Sequence, residues 1–369
     1  MSKRFLPAII LIIFISTGLV TLQSCGKSGD KKDTLKTQGN NDLIKGDRIT
    51  LKMVPKKGEV FRYGMTAKTS QKENSAMTGG KDVTQDQTTY YYYRQEVTDT
   101  ANGVTTFKVT FDSISVVFEN KLPGDSVQKV VYNSNVKDSI YGKPDFVQYN
   151  STIGEPFNIT VSPKGEIGDV YGLQKIYDKI FKGFGDTLKE ADKSQIKESF
   201  GNEAIKSVLQ QQFQIFPDNE VVKDSAWTRS YDTQLLVFPG RNSLSYKILD
   251  VKTENGETIV TIDADLSTTL LKDEVKDKQA TYKVENSSFN GKGTILFNLT
   301  RGFVVKKETT TKIDLTLKLT GGGQSMSSTQ NVTTRTWQSV SYIRISATNI
   351  SFSASRIRNV RSTTRETQW

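Results

Sequence analysis

The chain has no histidine and only one cysteine in 369 residues. The missing histidine removes the commonest general base and the commonest metal ligand together. The one cysteine, Cys25, follows directly on an apolar N-terminal segment. A thiol consumed there leaves none for disulfides, metal binding or nucleophilic attack. Ser-His-Asp, Cys-His and zinc chemistries are thereby excluded. A concentrated basic charge is also missing. The formal charge is +10, but Lys3, Arg4 and the C-terminal tail, whose four arginines stand against Glu366, supply half of it. What remains is a mild excess spread over more than 300 residues, which argues against nucleic acid as a partner.

What is present starts with Lys3 and Arg4, an apolar run from Phe5 to Val20, and then Leu22-Gln23-Ser24-Cys25. That order is the plan of a bacterial secretory signal peptide. The run is 16 residues long, short of the roughly 20 that span a bilayer, which disfavours a plain membrane helix. With the cysteine at the cleavage point, the stretch resembles a lipobox, although Gln23 stands where a small or aliphatic residue is more usual. The resemblance implies signal peptidase II recognition through Leu22 and Ser24, and a diacylglycerol and a fatty acid on Cys25. No other cofactor is expected. The implied partners are the membrane, through the anchor, and the lipoprotein export and sorting machinery. The implied location is the bacterial cell envelope, at the outer membrane.

The expected organisation is a signal peptide over 1–24, a lipidated cysteine and polar tether over 25–47, a strand-rich domain over 48–345, and a basic disordered tail over 346–369. Within the domain, Ile49, Leu51 and Met53 alternate with polar residues. A Pro55–Gly58 turn follows, and then alternating Phe61, Tyr63, Met65 and Ala67. Period two around a turn predicts an antiparallel hairpin. Tyr90–Val97 and Thr105–Phe111 flank Asn102-Gly103, and Ser245–Val251 and Val260–Leu266 flank Asn255-Gly256. Asn-Gly suits tight reversals, and the shared layout raises the question of an internal duplication. Further strands are predicted over Leu235–Phe238, Ala280–Val284, Ile295–Leu299, Phe303–Thr310, Ile313–Leu319 and Val332–Ile343.

Helical spacing appears over 172–216. Leu173, Ile176, Ile180 and Phe181 share one face, and Ile205, Val208, Leu209 and Phe213 share another behind Asn202. The fold class expected is α+β, mostly antiparallel β. It would be a curved sheet or half-open barrel with a two- to three-helix insert covering one face, since an apolar sheet face must be covered.

Three side-chain features invite a functional reading. Tyr90-Tyr91-Tyr92-Tyr93 is either a sugar-stacking platform or a strand with two rings to each face. Asp263 and Asp265 share a strand face, but the alternating Val260, Ile262 and Ala264 leave both carboxylates in water. Asp followed by Ser or Thr recurs at Thr100, Ser113, Ser126, Ser139, Thr187 and Ser225. It resembles the O-glycosylation acceptor pattern of Bacteroidota-type envelope proteins.

Lys56 to Tyr63, Val161-Ser162-Pro163-Lys164-Gly165-Glu166-Ile167, and Phe216-Pro217-Asp218 leading to Trp227 carry a wider resemblance. Together with the lipobox and tether they resemble an uncharacterised family of Bacteroidota envelope lipoproteins, over roughly residues 48 to 345. Asp224-Ser225-Ala226-Trp227 departs from the Gly-Asp-Ser-Trp run expected there. The resemblance brings no activity with it. The sheet-plus-helices plan is similar to carrier lipoproteins of the LolA and LppX type, which hold a lipid between sheet and helices. The expectation is a non-enzymatic binder of a hydrophobic or amphiphilic ligand. The alternative is a surface-exposed glycan-binding or scaffolding lipoprotein, and a third is a hydrolase using two cleft carboxylates.

Overall fold

The computed structural model describes residues 43–344, apart from 76–78, 122–125, 186–187, 200–212, 214–215, 236, 277–279 and 322–323. The signal peptide, Leu22, Ser24, Cys25, Thr187 and the tail therefore lie outside the described residues, as do Asn202, Ile205, Val208 and Leu209.

The elements run β1 (Ile44–Lys45), β2 (Arg48–Ile49), β3 (Val60–Ser75), β4 (Asp82–Asp99), β5 (Thr105–Lys121) and β6 (Val127–Asn133). Then come α1 (Val147–Thr152), β7 (Phe157–Val161), β8 (Ile167–Tyr171), α2 (Gln174–Phe184) and α3 (Glu190–Ser199). The chain finishes with β9 (Ala226–Leu235), β10 (Phe238–Glu254), β11 (Glu257–Leu270), β12 (Glu274–Lys276), β13 (Thr281–Asn298), β14 (Phe303–Gly321) and β15 (Gln324–Arg344).

Thirteen strands form one sheet, ordered β8-β7-β5-β4-β3-β15-β14-β13-β11-β10-β9, with β6 on β5 and β12 on β13. Every named strand pairing is antiparallel. The order is simply chain order, with one long-range step where β15 returns to β3. The protein is thus mostly antiparallel β with short helices. Its curved sheet resembles an up-and-down barrel left open between β8 and β9. The chain joining those two free edges is the segment that carries α2 and α3.

Both Asn-Gly turns behave as their chemistry demands. Asn102 and Asn255 each take φ 53°, followed by Gly103 and Gly256 at φ 77° and 78°. Consecutive left-handed residues match the twist of the flanking strands. The two halves share a layout, but any sheet laid down in chain order gives it.

Three expectations need correction. Ile49, Leu51 and Met53 are buried as their alternation implies, yet they form no hairpin with β3. β2 pairs only with β1, and the stretch continues as an extended strap. The strap exchanges hydrogen bonds between Ile49 and Val221, 2.8 Å each way, and the Met53 N–H donates to the Pro163 carbonyl at 2.7 Å. Alternation records which side is buried, and the partner strand is a separate matter. Leu235 ends β9 and Phe238 begins β10, the two paired with each other, so Leu235–Phe238 is not one strand. α1, too short to show a helical period, was not expected at all.

The strap also closes part of the open side. The Phe216 N–H donates to the Lys164 carbonyl at 2.9 Å, and the Asp224 N–H to that of Ile248 at 2.9 Å. Hydrogen bonds therefore run from the β7–β8 turn to β10 where strand pairing does not. α2 lays Ile176 and Ile180 into the main core, with Phe61, Phe107, Ile159, Ile248, Phe297 and the strap residues. Each such side chain contributes about 1.5–3 kcal/mol on burial. The helix approaches α1 closely because Gly183 has no side chain; a Cβ there would lie 2.6 Å from a Val147 methyl. Among the described residues, no helix is long and apolar enough to cross a membrane.

Candidate functional site

Among the described residues, the strap and helices cover one end of the inward face. Beyond them, strand register defines what lines the rest. Across β3, β15 and β14 the inward rungs read Met65–Gln338–Lys307, Ala67–Thr336–Thr309, Thr69–Thr334–Thr311, Gln71–Val332–Ile313, Glu73–Gln330–Leu315 and Ser75–Ser328–Leu317. β4 continues them with Tyr91, Thr89, Gln87 and Gln85. β13 and β11 continue them with Gly293, Gly291, Ala264 and Leu266. Over the inward positions of β3, β4, β11 and β13–β15, full charge is confined to Glu73 and Lys307. Beyond the covered core the other inward positions mix Thr, Gln, Ser and small residues with buried Val284, Phe289, Leu315 and Val332 and half-buried Met65, Tyr91, Leu266, Ile313, Leu317 and Leu319.

The outward face is the opposite. Lys72–Asp82, Lys121–Asp86, Lys108–Glu96, Lys306–Glu308 and Arg241–Asp232 pair at 2.6–2.7 Å. Such exposed pairs add little stability, but they keep that face in water. Asp263 and Asp265 belong to it. Lys247 lies opposite Asp263, and Lys292 approaches Asp265 at 3.7 Å, so no acid pair faces a cleft there.

The strands pack tightly where β13 has Gly291 and Gly293. A Cβ at Gly293 would come 2.8 Å from the Thr309 methyl and 2.9 Å from the Glu308 carbonyl oxygen. Only glycine permits that approach. Two small apolar clusters close the walls. Leu235 and Phe238 pack with Val284, Phe289 and Leu315 on one side. On the other, Tyr132 stacks on Phe146 at 4.5 Å and its hydroxyl donates to Asn150 at 2.6 Å.

At the covered end the space under the helices is filled by side chains. What remains is a shallow recess with room for about one water molecule, lined by residues such as Tyr63, Gln95, Phe213, Phe303, Val304 and Gln338. The Tyr63 hydroxyl donates to the Val304 carbonyl at 3.2 Å, and its ring stacks on Tyr93. Burial pushes both phenols far above their usual range. Among the described residues, side chains rather than a lipid-sized space lie beneath the helices.

Lys307 stands at the boundary between recess and trough, between Ile295 and Gln338. Burial lowers its ammonium to about 8. An unfolded lysine titrates near 10.4, so between these values the unfolded chain holds a proton that the folded one has released. Stability is expected to rise across pH 8 to 10 by about 2–3 kcal/mol. The buried tyrosines reverse the trend above about pH 10. Urea denaturation at pH 7, 8 and 10 checks this, and the rise should vanish in Lys307→Met.

The tyrosine run divides between faces. Tyr91 and Tyr93 point inward, while Tyr90 and Tyr92 point outward. The Asp-Ser/Thr positions form no common site. Thr100, Ser126 and Ser139 are exposed. Ser113 is half-buried opposite Tyr92, and the Ser225 hydroxyl accepts the Val222 N–H at 3.0 Å. Sequence reasoning missed Lys307 and the Thr/Gln floor. The available signal was charge falling on alternate residues of β3 and β14. Among the described residues no cluster of three acids could hold a metal.

Fold and site together define an open, up-and-down antiparallel sheet with a neutral inward trough. The chain belongs to the family of unknown function DUF6263, whose profile matches residues 102–304. No curated protein matches it. Among solved structures it is similar to one titled "Lipid-protein interactions in lipovitellin", at 12% identity and a TM-score of 0.40. That match covers 80% of this chain and 26% of the other, so the chain spans about a quarter of that protein's length. The β domain of the Bordetella autotransporter BrkA matches at 9% identity and a TM-score of 0.24, covering 76% of this chain and 99% of that one. Pseudomonas aeruginosa OccK5 matches at 7% and 0.20, covering 76% and 98%. A likeness at these levels says nothing about what this chain binds.

Proposed function

We propose that this is a non-enzymatic, lipid-anchored envelope protein that binds a hydrophobic or amphiphilic ligand along the inward trough of its sheet. The observation that carries the reading is the sidedness of the sheet beyond the covered core. Its outward face is laced with ion pairs, while its inward face holds hydroxyls, amides and half-buried aliphatic side chains. An inward face whose full charges are confined to Glu73 and Lys307 suits an acyl chain or ring system with a polar head. Sites for such ligands are concave and mostly apolar, with a few polar groups that fix orientation. Lys307 and Gln338 supply those groups where trough meets recess.

Anchoring rests on Cys25 behind its apolar run, and a Bacteroidota-type envelope origin rests on the sequence motifs. The same reading takes the outer membrane as the location and the lipoprotein sorting machinery as the route. One mass experiment tests both parts. Protein isolated gently from its native host is expected to carry a diacylglycerol and a fatty acid on Cys25. Under native conditions it is expected to carry a further, non-covalent lipid mass. Polypeptide mass alone would contradict both, and hexose increments would show that sugar is attached.

A further inference from the structure

The outward face carries one patch that the trough does not explain. Tyr90 and Tyr92 stand two residues apart on β4, about 7 Å along the strand, and Trp337 stands on β15 across the single strand β3. Tyr92 is 54% exposed and Trp337 36% exposed, which is unusual cover for such large rings. Between them β3 has Gly64. The Tyr92 ring lies over that glycine, since a Cβ at 64 would sit 3.5 Å from its Cε1. Covering a strand glycine accounts for one flat ring. It does not account for Tyr90 and Trp337 beside it, nor for Lys68 held 5.8 Å above the indole.

The surround is polar and net positive. Arg62 and Arg94 both pair with Asp112, Arg62 at 3.1 Å. Two guanidiniums thus share one carboxylate next to Tyr92. Lys68, Arg335 and Lys306 extend the positive side against Glu308 alone. The remaining neighbours are Thr66, Thr88, Ser113, Ser115 and Ser339. Aliphatic side chains enter at one edge, where Val117 stands opposite Thr88 and pairs with the exposed Val131. Flat aromatic faces stack on the C–H faces of sugar rings, hydroxyls and guanidiniums hydrogen-bond to sugar oxygens, and guanidinium forks take carboxylates in bidentate fashion.

We propose that the Tyr90–Tyr92–Trp337 face is a binding site for an acidic glycan chain, independent of the ligand in the trough. A membrane interface would also recruit aromatic and basic residues. The surround of Thr66, Thr88, Ser113, Ser115 and Ser339, with apolar residues at one edge alone, favours sugar.

The test is titration of the full chain in detergent with polygalacturonate, with dextran as the uncharged comparison, followed by Trp fluorescence and calorimetry. Saturable binding of polygalacturonate, weakened by salt and absent with dextran, is expected. Tyr92→Ala and Trp337→Ala should each weaken it about tenfold, and Tyr92→Phe should retain it. Tyr92→Ala also uncovers Gly64, so Trp337→Ala, with an unchanged circular dichroism spectrum, separates lost stacking from lost fold. Equal binding of dextran, or no binding of polygalacturonate, overturns the proposal. So does a Tyr92- and Trp337-dependent preference for phosphatidylglycerol over phosphatidylcholine vesicles without polygalacturonate binding, which would assign the face to a membrane.

Discussion

Gly302→Ala is expected to destabilise the fold by more than about 4 kcal/mol, enough to leave little folded chain in expression trials. Gly302 turns the chain between β13 and β14 at φ +68°, and the strap crosses directly against it. A Cβ there would lie 2.1 Å from the Val54 backbone nitrogen and 2.9 Å from the Val54 Cα. Backbone cannot move aside as a side-chain tip can, and the strap is pinned on both sides of this point. Gly256→Ala is the control. Its φ is +78°, but a Cβ would meet nothing within 4 Å, so only the left-handed strain of about 1–2 kcal/mol applies. Soluble yield and urea midpoints of the two variants check the contrast. Similar values would mean that the strap does not pack where the structure places it.

The second large effect is expected at Glu59, which is almost fully buried. Its carboxylate accepts the Lys56 N–H at 2.9 Å and pairs with Arg301 at 3.2 Å. Arg301 also lies over the Phe303 ring and approaches Glu257 at 3.8 Å. The pair ties the strap's exit to the β13–β14 turn, linking residues 242 positions apart. Glu59→Ala leaves the Arg301 guanidinium without its buried partner and should cost about 3–5 kcal/mol. Replacing both residues with methionine should recover much of that loss, because removing a buried pair together strands no charge. Urea denaturation of the single and double variants measures the difference. Equal losses in both would show that packing, not the unpaired charge, sets the cost.

How far the sequence could be read varied from element to element. Ile313, Leu315, Leu317 and Leu319 alternate with Asp314 and Lys318, and the structure turns those leucines inward as the pattern requires. The partner β15 and the inward rungs of β3 were harder, because Thr69, Gln71 and Thr334 are inward and polar while their outward neighbours are polar too. Hydropathy shows no period when both faces are hydrophilic; only the placement of full charges betrays the sides. The strap was misjudged for a related reason. Ile49, Leu51 and Met53 carry a strand's alternation, but pairing with Val221 is a contact made across the whole fold. α2 was legible through Ile176 and Ile180, whereas α1 has too few residues to show a period. The trough was not legible as a site, because it is defined by register between strands far apart in the chain.

The central claim is that the trough binds an apolar chain, and its most direct measurement is uptake of a fluorescent fatty acid by three forms of the protein. The unaltered chain should bind it saturably. Leu317→Asp, which puts a carboxylate on the inward face, should weaken uptake at least about tenfold, because a charge facing an apolar guest is not resolvated. Lys318→Asp, one residue along and pointing outward, should bind as the unaltered chain does. No uptake by the unaltered chain, or equal uptake by Leu317→Asp with its fold intact, would contradict the account.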